Sequence, residues 1–344
     1  MVVFVAIVCG VRLQGYPHVE PDEAHHLIVA RNLAVHGVYG SGMPTTGFRP
    51  FDDYDSVGPT VIVPVAAAIW TFGDALHSGR IAMAAFYVSL SAAVFLLILQ
   101  CGSATAAVSG AAFMLLAPGS LYLARTLYGE APALAYLIAA LLVWGRALRS
   151  PRPLVLCVVS GMLFGCALVT KYFLVAAAWP ALGMWVYDYM THRRIRAIHA
   201  IVPAGVALSA LGTWLAMTSF YGPQGAETAA GHVTMYRHNL LFGLASLDTT
   251  LAWLAQHWIA TLLYLGLGLL SAAAMAMLTA YNPAWLFLTL FAALNTYWWI
   301  FFTTGNIPRY LWFGLAIGAM FTGRIFANGI AMVKTTPDSK GRWT

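Results

Sequence analysis

Long apolar runs separated by short polar breaks set the plan of this chain. They lie near 1–13, 80–100, 104–123, 128–146, 154–170, 172–190, 198–220, 252–279, 283–303 and 307–330. A helix needs about 20 apolar residues to cross a hydrocarbon core of roughly 30 Å. The pattern therefore predicts an all-α fold, a polytopic transmembrane helix bundle of about ten spans. The runs are continuous rather than alternating, which excludes a membrane β-barrel. Met1 to Leu13 is short for a span: either it tilts with help from Gly15 and Tyr16, or the true start lies upstream. It lacks a basic leader and a small-residue cleavage site, so it does not read as a signal peptide. Val57 to Phe72 is also short, opens on Gly58-Pro59 and contains Pro64. It is expected to be a helix lying in the membrane interface.

Two polar stretches are longer than a connecting loop requires. Residues 14–79 form a first outer loop with interfacial helices, and residues 221–250 a second. In the first, Pro21 suits the opening position of a helix, with Asp22 and Glu23 placed for its dipole. The apolar spacing carries that helix to about His36, after which Gly37, Gly40, Gly42, Pro44 and Gly47 mark loop. The sides follow from Arg and Lys. Arg146, Arg149 and Arg152 fill one short loop, Arg193, Arg194 and Arg196 another, and Lys334, Lys340 and Arg342 the tail. Such loops are cytoplasmic by the positive-inside rule. Splitting 154–190 at Thr170-Lys171-Tyr172 puts both Arg loops on one side and the long loops on the other. The expected organisation is one transmembrane domain over 1–333 and a cytoplasmic tail over 334–344, without internal repeat or separate soluble domain.

Composition narrows the class further. The chain is 60% hydrophobic and only 9% charged, against about 25% charged in a soluble domain. Its net charge of +6 comes from loop arginines and lysines, so it indicates topology and not a nucleic-acid partner. Cys9, Cys101, Cys157 and Cys166 have neither metal nor redox spacing and read as packing residues.

A few polar residues are left that membrane architecture does not account for. Asp22-Glu23 sits within Glu20-Pro21-Asp22-Glu23-Ala24-His25-His26. Helix-dipole stabilisation explains one acid there; two acids, Glu20 and two histidines suit a general base facing a cavity. Arg125 and Glu130 flank a turn at the outer boundary, where an interfacial ion pair is the plain alternative. Lys171 occupies an outer turn, against the usual bias. Arg309 and Tyr310 open the last span on that side. Arg grips phosphate with two donors and Lys meets it as a point charge. His25 and His26 are adjacent, so they diverge on a helix and make a weak metal site. The cluster Tyr297-Trp298-Trp299-Phe301-Phe302 reads as an interface belt, with sugar stacking as the alternative.

Several segments together resemble a known family. Pro21-Asp22-Glu23-Ala24 with Ala30-Arg31-Asn32-Leu33 and Gly37-Val38-Tyr39 is similar to its first outer loop. Ser56-Val57-Gly58-Pro59, Phe72-Gly73 and Arg80-Ile81 are similar to its interfacial helix and second span. Arg125 to Pro132, Val169-Thr170-Lys171 and Arg309-Tyr310 complete the series. The family is the GT-C-fold membrane glycosyltransferases that use polyprenyl-phosphate sugars, in the group of protein O-mannosyltransferases and aminoarabinose transferases. The resemblance covers residues 1 to about 330. Against the family pattern this chain is short, and a C-terminal soluble domain is not expected within residues 1–344.

The resemblance implies a catalytic carboxylate at Asp22, Glu23 beside it and Glu130 as a second outer acid. Arg125, Lys171, Arg309 and Tyr310 become phosphate contacts. The expected reaction is an inverting single displacement from a polyprenyl-phosphate-linked sugar to a hydroxyl of a lipid, glycan or protein acceptor. It needs no cofactor, with a divalent metal left open. Its place is the extracytoplasmic face of a bacterial plasma membrane. Two other readings stand beside it: a lipid or polyol transporter or flippase, and an inactive scaffold. Transporters tend to show repeated halves and midplane polar groups, and neither is evident here.

Overall fold

The computed structural model describes residues 17–50, 57–73, 75–100, 102–221, 252, 255–268, 282–302 and 311–335. The apolar runs within them are helices: α1 (Pro21–His36), α2 (Pro59–Phe72), α3 (Ala75–Leu99), α4 (Ala104–Leu116) and α5 (Glu130–Ala147). There follow α6 (Pro153–Thr170), α7 (Ala178–Thr191), α8 (Ala197–Tyr221), α9 (Pro283–Phe302) and α10 (Trp312–Thr335). Among the described residues four helices are long and apolar enough to cross a membrane: α3, α5, α6 and α8 as far as Phe220. This is an integral membrane protein, with four full-length spans among the described residues where ten were expected of the whole chain.

The difference has local causes. The run 104–123 stops at Leu116, because Pro118 forces Ala117 out of the helical region (ψ 140°) and Gly119 turns left-handed (φ 80°). A single helical turn, Ser120–Leu123, follows. The run 172–190 opens with a 3₁₀ segment, Tyr172–Ala177, which leaves α7 only 14 residues. α2 also has 14 residues, about 21 Å of helix, and so falls short of the core thickness. The first run, the loop 222–250 and, of the run 252–279, residues 253–254 and 269–279 lie outside the described residues.

One element departs from the all-α expectation. Gly40–Met43 pairs antiparallel with Gly47–Pro50, where the glycines had suggested plain loop. Asn32 of α1 docks this hairpin, donating to the carbonyls of Gly40 at 2.9 Å and Gly42 at 3.1 Å.

Packing directions put the candidate residues at one end. α3 and α5 run parallel, with Phe86 against Tyr136 and Gln100 beside Gly145. α6 returns against α5, tied by Ser160 Oγ to the Ala140 carbonyl at 3.0 Å. α6 and α8 are parallel again, with Gly161 facing Pro203 and Gly165 facing Ala207. The starts of α3, α5 and α10 thus gather with the ends of α6 and α8. Trp312 at the head of α10 donates to Ser120 Oγ at 2.9 Å, at that same end. A separate apolar cluster of Leu27, Val29, Val61, Ile62, Val65, Met83 and Leu127 fixes α1 and α2 over it.

Candidate active site

Adjacent residues on a helix point about 100° apart, and that alone divides Asp22 from Glu23. Asp22 is exposed, whereas Glu23 turns inward and is fully buried. Glu23 meets Arg80 of α3 in a two-pronged ion pair: Nε to Oε1 at 3.0 Å and Nη2 to Oε2 at 2.8 Å. Arg80, also fully buried, gives a further bond to the Pro17 carbonyl at 2.8 Å. Each Glu23 oxygen thereby accepts a charge-assisted hydrogen bond from Arg80. This geometry ties the first turn of α1 to α3 through the Glu23–Arg80 pair.

Glu130 and Lys171 face one another because α5 starts where α6 ends. Lys171 Nζ lies 3.2 Å from Glu130 Oε1, with Glu130 fully buried and Lys171 6% exposed. Two glycines allow the approach. Gly129 adopts φ 82°, and a Cβ there would press on the Lys171 stem and Val57. A Cβ on Gly58 would overlap the Val169 carbonyl. Next to Gly58, Thr60 Oγ1 shares a 2.7 Å hydrogen bond with Thr170 Oγ1, and the Thr60 carbonyl accepts from Tyr136 at 3.1 Å. Hence Val57-Gly58-Pro59 nests against Val169-Thr170-Lys171, two stretches more than a hundred residues apart in sequence.

His26 joins the two halves. It is buried, and its Nδ1 donates to the Leu127 carbonyl at 2.6 Å, in the turn that leads to Glu130. Burial, and next the charge of Lys171, push its pKa down to about 3, while Asp22 acts weakly in the opposite sense. The imidazole is neutral at physiological pH. It also senses both Asp22 and Lys171, which places these three groups in one electrostatic neighbourhood. Arg125 lies buried in the same turn.

No group of three His, Cys, Asp or Glu side chains among the described residues is arranged to hold a metal ion. His25 and His26 diverge, with ring centroids 6.0 Å apart and planes at 71°. Arg309, Tyr310 and the second outer loop lie outside the described residues. Trp298 stacks on Phe173 with planes 8° apart, and Trp299 is fully buried. Trp298 is half-buried and Tyr297 is exposed, so the cluster faces both inward and outward. Sequence reasoning overlooked three polar groups: Arg80 as the partner of Glu23, and Tyr122 and Tyr128, which both bind Glu20. The only available signal for Arg80 was an arginine at the mouth of a span with no stated partner.

No protein-family model matches the chain, and no curated protein matches it. Solved structures do match its fold. ArnT from Cupriavidus metallidurans bound to undecaprenyl phosphate superposes with a TM-score of 0.72 at 17% identity, covering 99% of this chain and 61% of that one. The Archaeoglobus fulgidus oligosaccharyltransferase in complex with Zn and sulfate gives 0.58 at 16% identity, covering 98% of this chain and 51% of the other. The same archaeal enzyme, AglB, with an inhibitory peptide and a dolichol-phosphate gives 0.57 at 14% identity, over 97% and 50%. This chain therefore spans about half to three fifths of the length of the proteins it matches. Over nearly its whole extent the chain shares its fold with ArnT and with the archaeal oligosaccharyltransferase.

Proposed function

We propose that this protein is a membrane glycosyltransferase that moves a sugar from a polyprenyl-phosphate donor to an acceptor hydroxyl on the extracytoplasmic side. One observation carries the reading. Three segments distant in sequence bring Asp22 and His26, Glu130, and Lys171 to one end of the bundle. The fold that does so is shared with a protein crystallised with undecaprenyl phosphate.

In this mechanism the donor phosphate lies against Lys171, with Arg125 in reach and Arg309 and Tyr310 as further contacts. Asp22 takes the proton of the acceptor hydroxyl as that oxygen attacks the anomeric carbon. The bond from that carbon to the phosphate oxygen breaks, and the electron pair leaves on the polyprenyl phosphate. Direct attack inverts the anomeric centre. Lys171 stabilises the departing charge from a preorganised, mostly dry position. Glu130 is its counter-charge while the site is empty. His26, being neutral, adds no competing positive charge and holds the turn by its hydrogen bond.

Purified Asp22→Asn protein supplied with labelled lipid-linked sugar tests the proposal. General-base help amounts to about 10²–10⁴ in rate, so turnover should fall by that factor with donor binding retained. Wild-type turnover would reject Asp22 as the base. Movement of lipid across vesicles without any glycosidic product would point to a transporter instead.

A further inference from the structure

Glu20 uses its carboxylate in a way that its position does not demand. It is the N-cap residue of α1, and its backbone carbonyl accepts from Ala24 at 2.9 Å, yet its side chain caps no amide of the helix. The carboxylate instead crosses to the segment before α5. Tyr122 Oη donates to Oε1 at 2.5 Å, and Tyr128 Oη donates to Oε2 at 2.6 Å. The two phenol oxygens lie 3.1 Å apart, each with its single proton directed to Glu20, and their rings lie 5.8 Å apart. Burial and then Glu20 push the Tyr122 pKa up to about 12, and the same causes raise Tyr128, so both stay protonated donors.

Asp22, two residues on, belongs to an exposed first turn with no side-chain cap. First turns fray when their amides are unsatisfied. Here the turn is held from three directions: Glu20 to the two phenols, Glu23 to Arg80, and His26 to the Leu127 carbonyl. Two of these ties end on the segment 122–128, which leads directly into Glu130. Hydrogen bonds from hydroxyls to an ionised carboxylate are short and strong, so this tie resists displacement.

We infer that Glu20, Tyr122 and Tyr128 form a positioning clamp that sets where Asp22 stands relative to the Glu130–Lys171 pair. The inference rests on the reading of Asp22 as general base. The clamp touches no reacting atom. It acts by holding the base at a fixed height, and a misplacement of about 1 Å can cost roughly 10²-fold in rate.

The test compares Glu20→Ala, Glu20→Gln and the double variant Tyr122→Phe/Tyr128→Phe as full-length purified proteins. Initial rates are followed with labelled polyprenyl-phosphate sugar. Glu20→Ala and the double variant should lower kcat by about 10- to 100-fold while donor KM moves less than about threefold. Glu20→Gln, which keeps an oxygen acceptor for one phenol, should recover part of the loss. Adding Glu20→Ala to Asp22→Asn should cost little more, since the clamp serves that base. Unchanged kcat in Glu20→Ala, or a raised KM at constant kcat, overturns the clamp. Amide hydrogen exchange supplies a readout that needs no turnover: the amides of residues 24–26 should lose protection in Glu20→Ala and keep it in Asp22→Asn. If the wild type transfers no sugar, the proposed function fails, and exchange alone judges the clamp. Unaltered protection in Glu20→Ala then overturns it.

Discussion

Two buried ion pairs stand at the same end of this bundle, and they are built differently. Glu23–Arg80 is two-pronged, and the arginine also meets the Pro17 carbonyl. Glu130–Lys171 is a single approach at 3.2 Å, and neither Glu130 oxygen has a hydrogen bond among the described residues. Charge is equal in the two pairs; saturation is not. A two-pronged pair with a further backbone tie is suited to holding structure. An unsaturated pair keeps a cation charged and ordered while leaving donors and acceptors for something else. In the proposed reaction that something is a phosphate.

Removing one member of the saturated pair should have the largest effect. Arg80→Ala or Glu23→Ala leaves an uncompensated buried charge, which costs about 3–5 kcal/mol. Thermal unfolding in detergent should show a large fall in Tm, with little folded protein recovered. A near-native Tm would remove the anchoring role of the pair. Lys171→Met should act on catalysis first. Loss of a preorganised stabiliser of developing charge costs about 10²–10³ in kcat, measured by single-turnover transfer. Full activity in Lys171→Met would make the pair structural after all.

The double variant Glu130→Gln/Lys171→Met sharpens the contrast. Replacing both charges of a buried pair is often neutral or stabilising. Its Tm should therefore recover above that of Lys171→Met while transfer stays lost. Arg80→Lys keeps the charge of the anchor but loses its fork. A net loss of about 1–3 kcal/mol is expected, read again as Tm, with activity per folded molecule retained.

His26 supplies an effect between the two pairs that is spread over pH instead of falling at one step. Its pKa is about 3 in the folded protein against an ordinary 6.5, so between those values the unfolded chain binds more protons than the folded one. Stability from this group is complete above pH 6.5 and is lost as pH falls toward 3, by at most about 1.4 kcal/mol per pH unit. Tm measured across that window should be flatter in His26→Gln than in the wild type.

Fold class was legible because lipid imposes one periodicity and one length scale. Helix breaks were legible less often: Pro118-Gly119 could be seen in the sequence, but 104–123 still reads as one apolar run. The hairpin at 40–50 escaped because glycines signal turns without saying whether the flanking residues pair. Among the site residues, Asp22 and Lys171 stood out as charges in the wrong setting. The burial of Glu23 did not, since an acid at a helix start looks the same from sequence whether its side chain meets water or Arg80. Glu20 with Tyr122 and Tyr128 was hidden for a further reason: aromatic residues near a membrane boundary have an ordinary explanation as interface anchors.

Sequence by itself determined that the chain is helical and membrane-embedded, because hydrophobic run length and sparse charge admit little else. It also marked where polar residues stand without an architectural excuse. Tertiary structure alone decided which of those residues meet. Facing partners such as Glu130 and Lys171, or Glu23 and Arg80, are set by how antiparallel and parallel helices align their ends and by which glycines let backbones touch. No local pattern encodes those long-range distances, and they separate an anchor from a site.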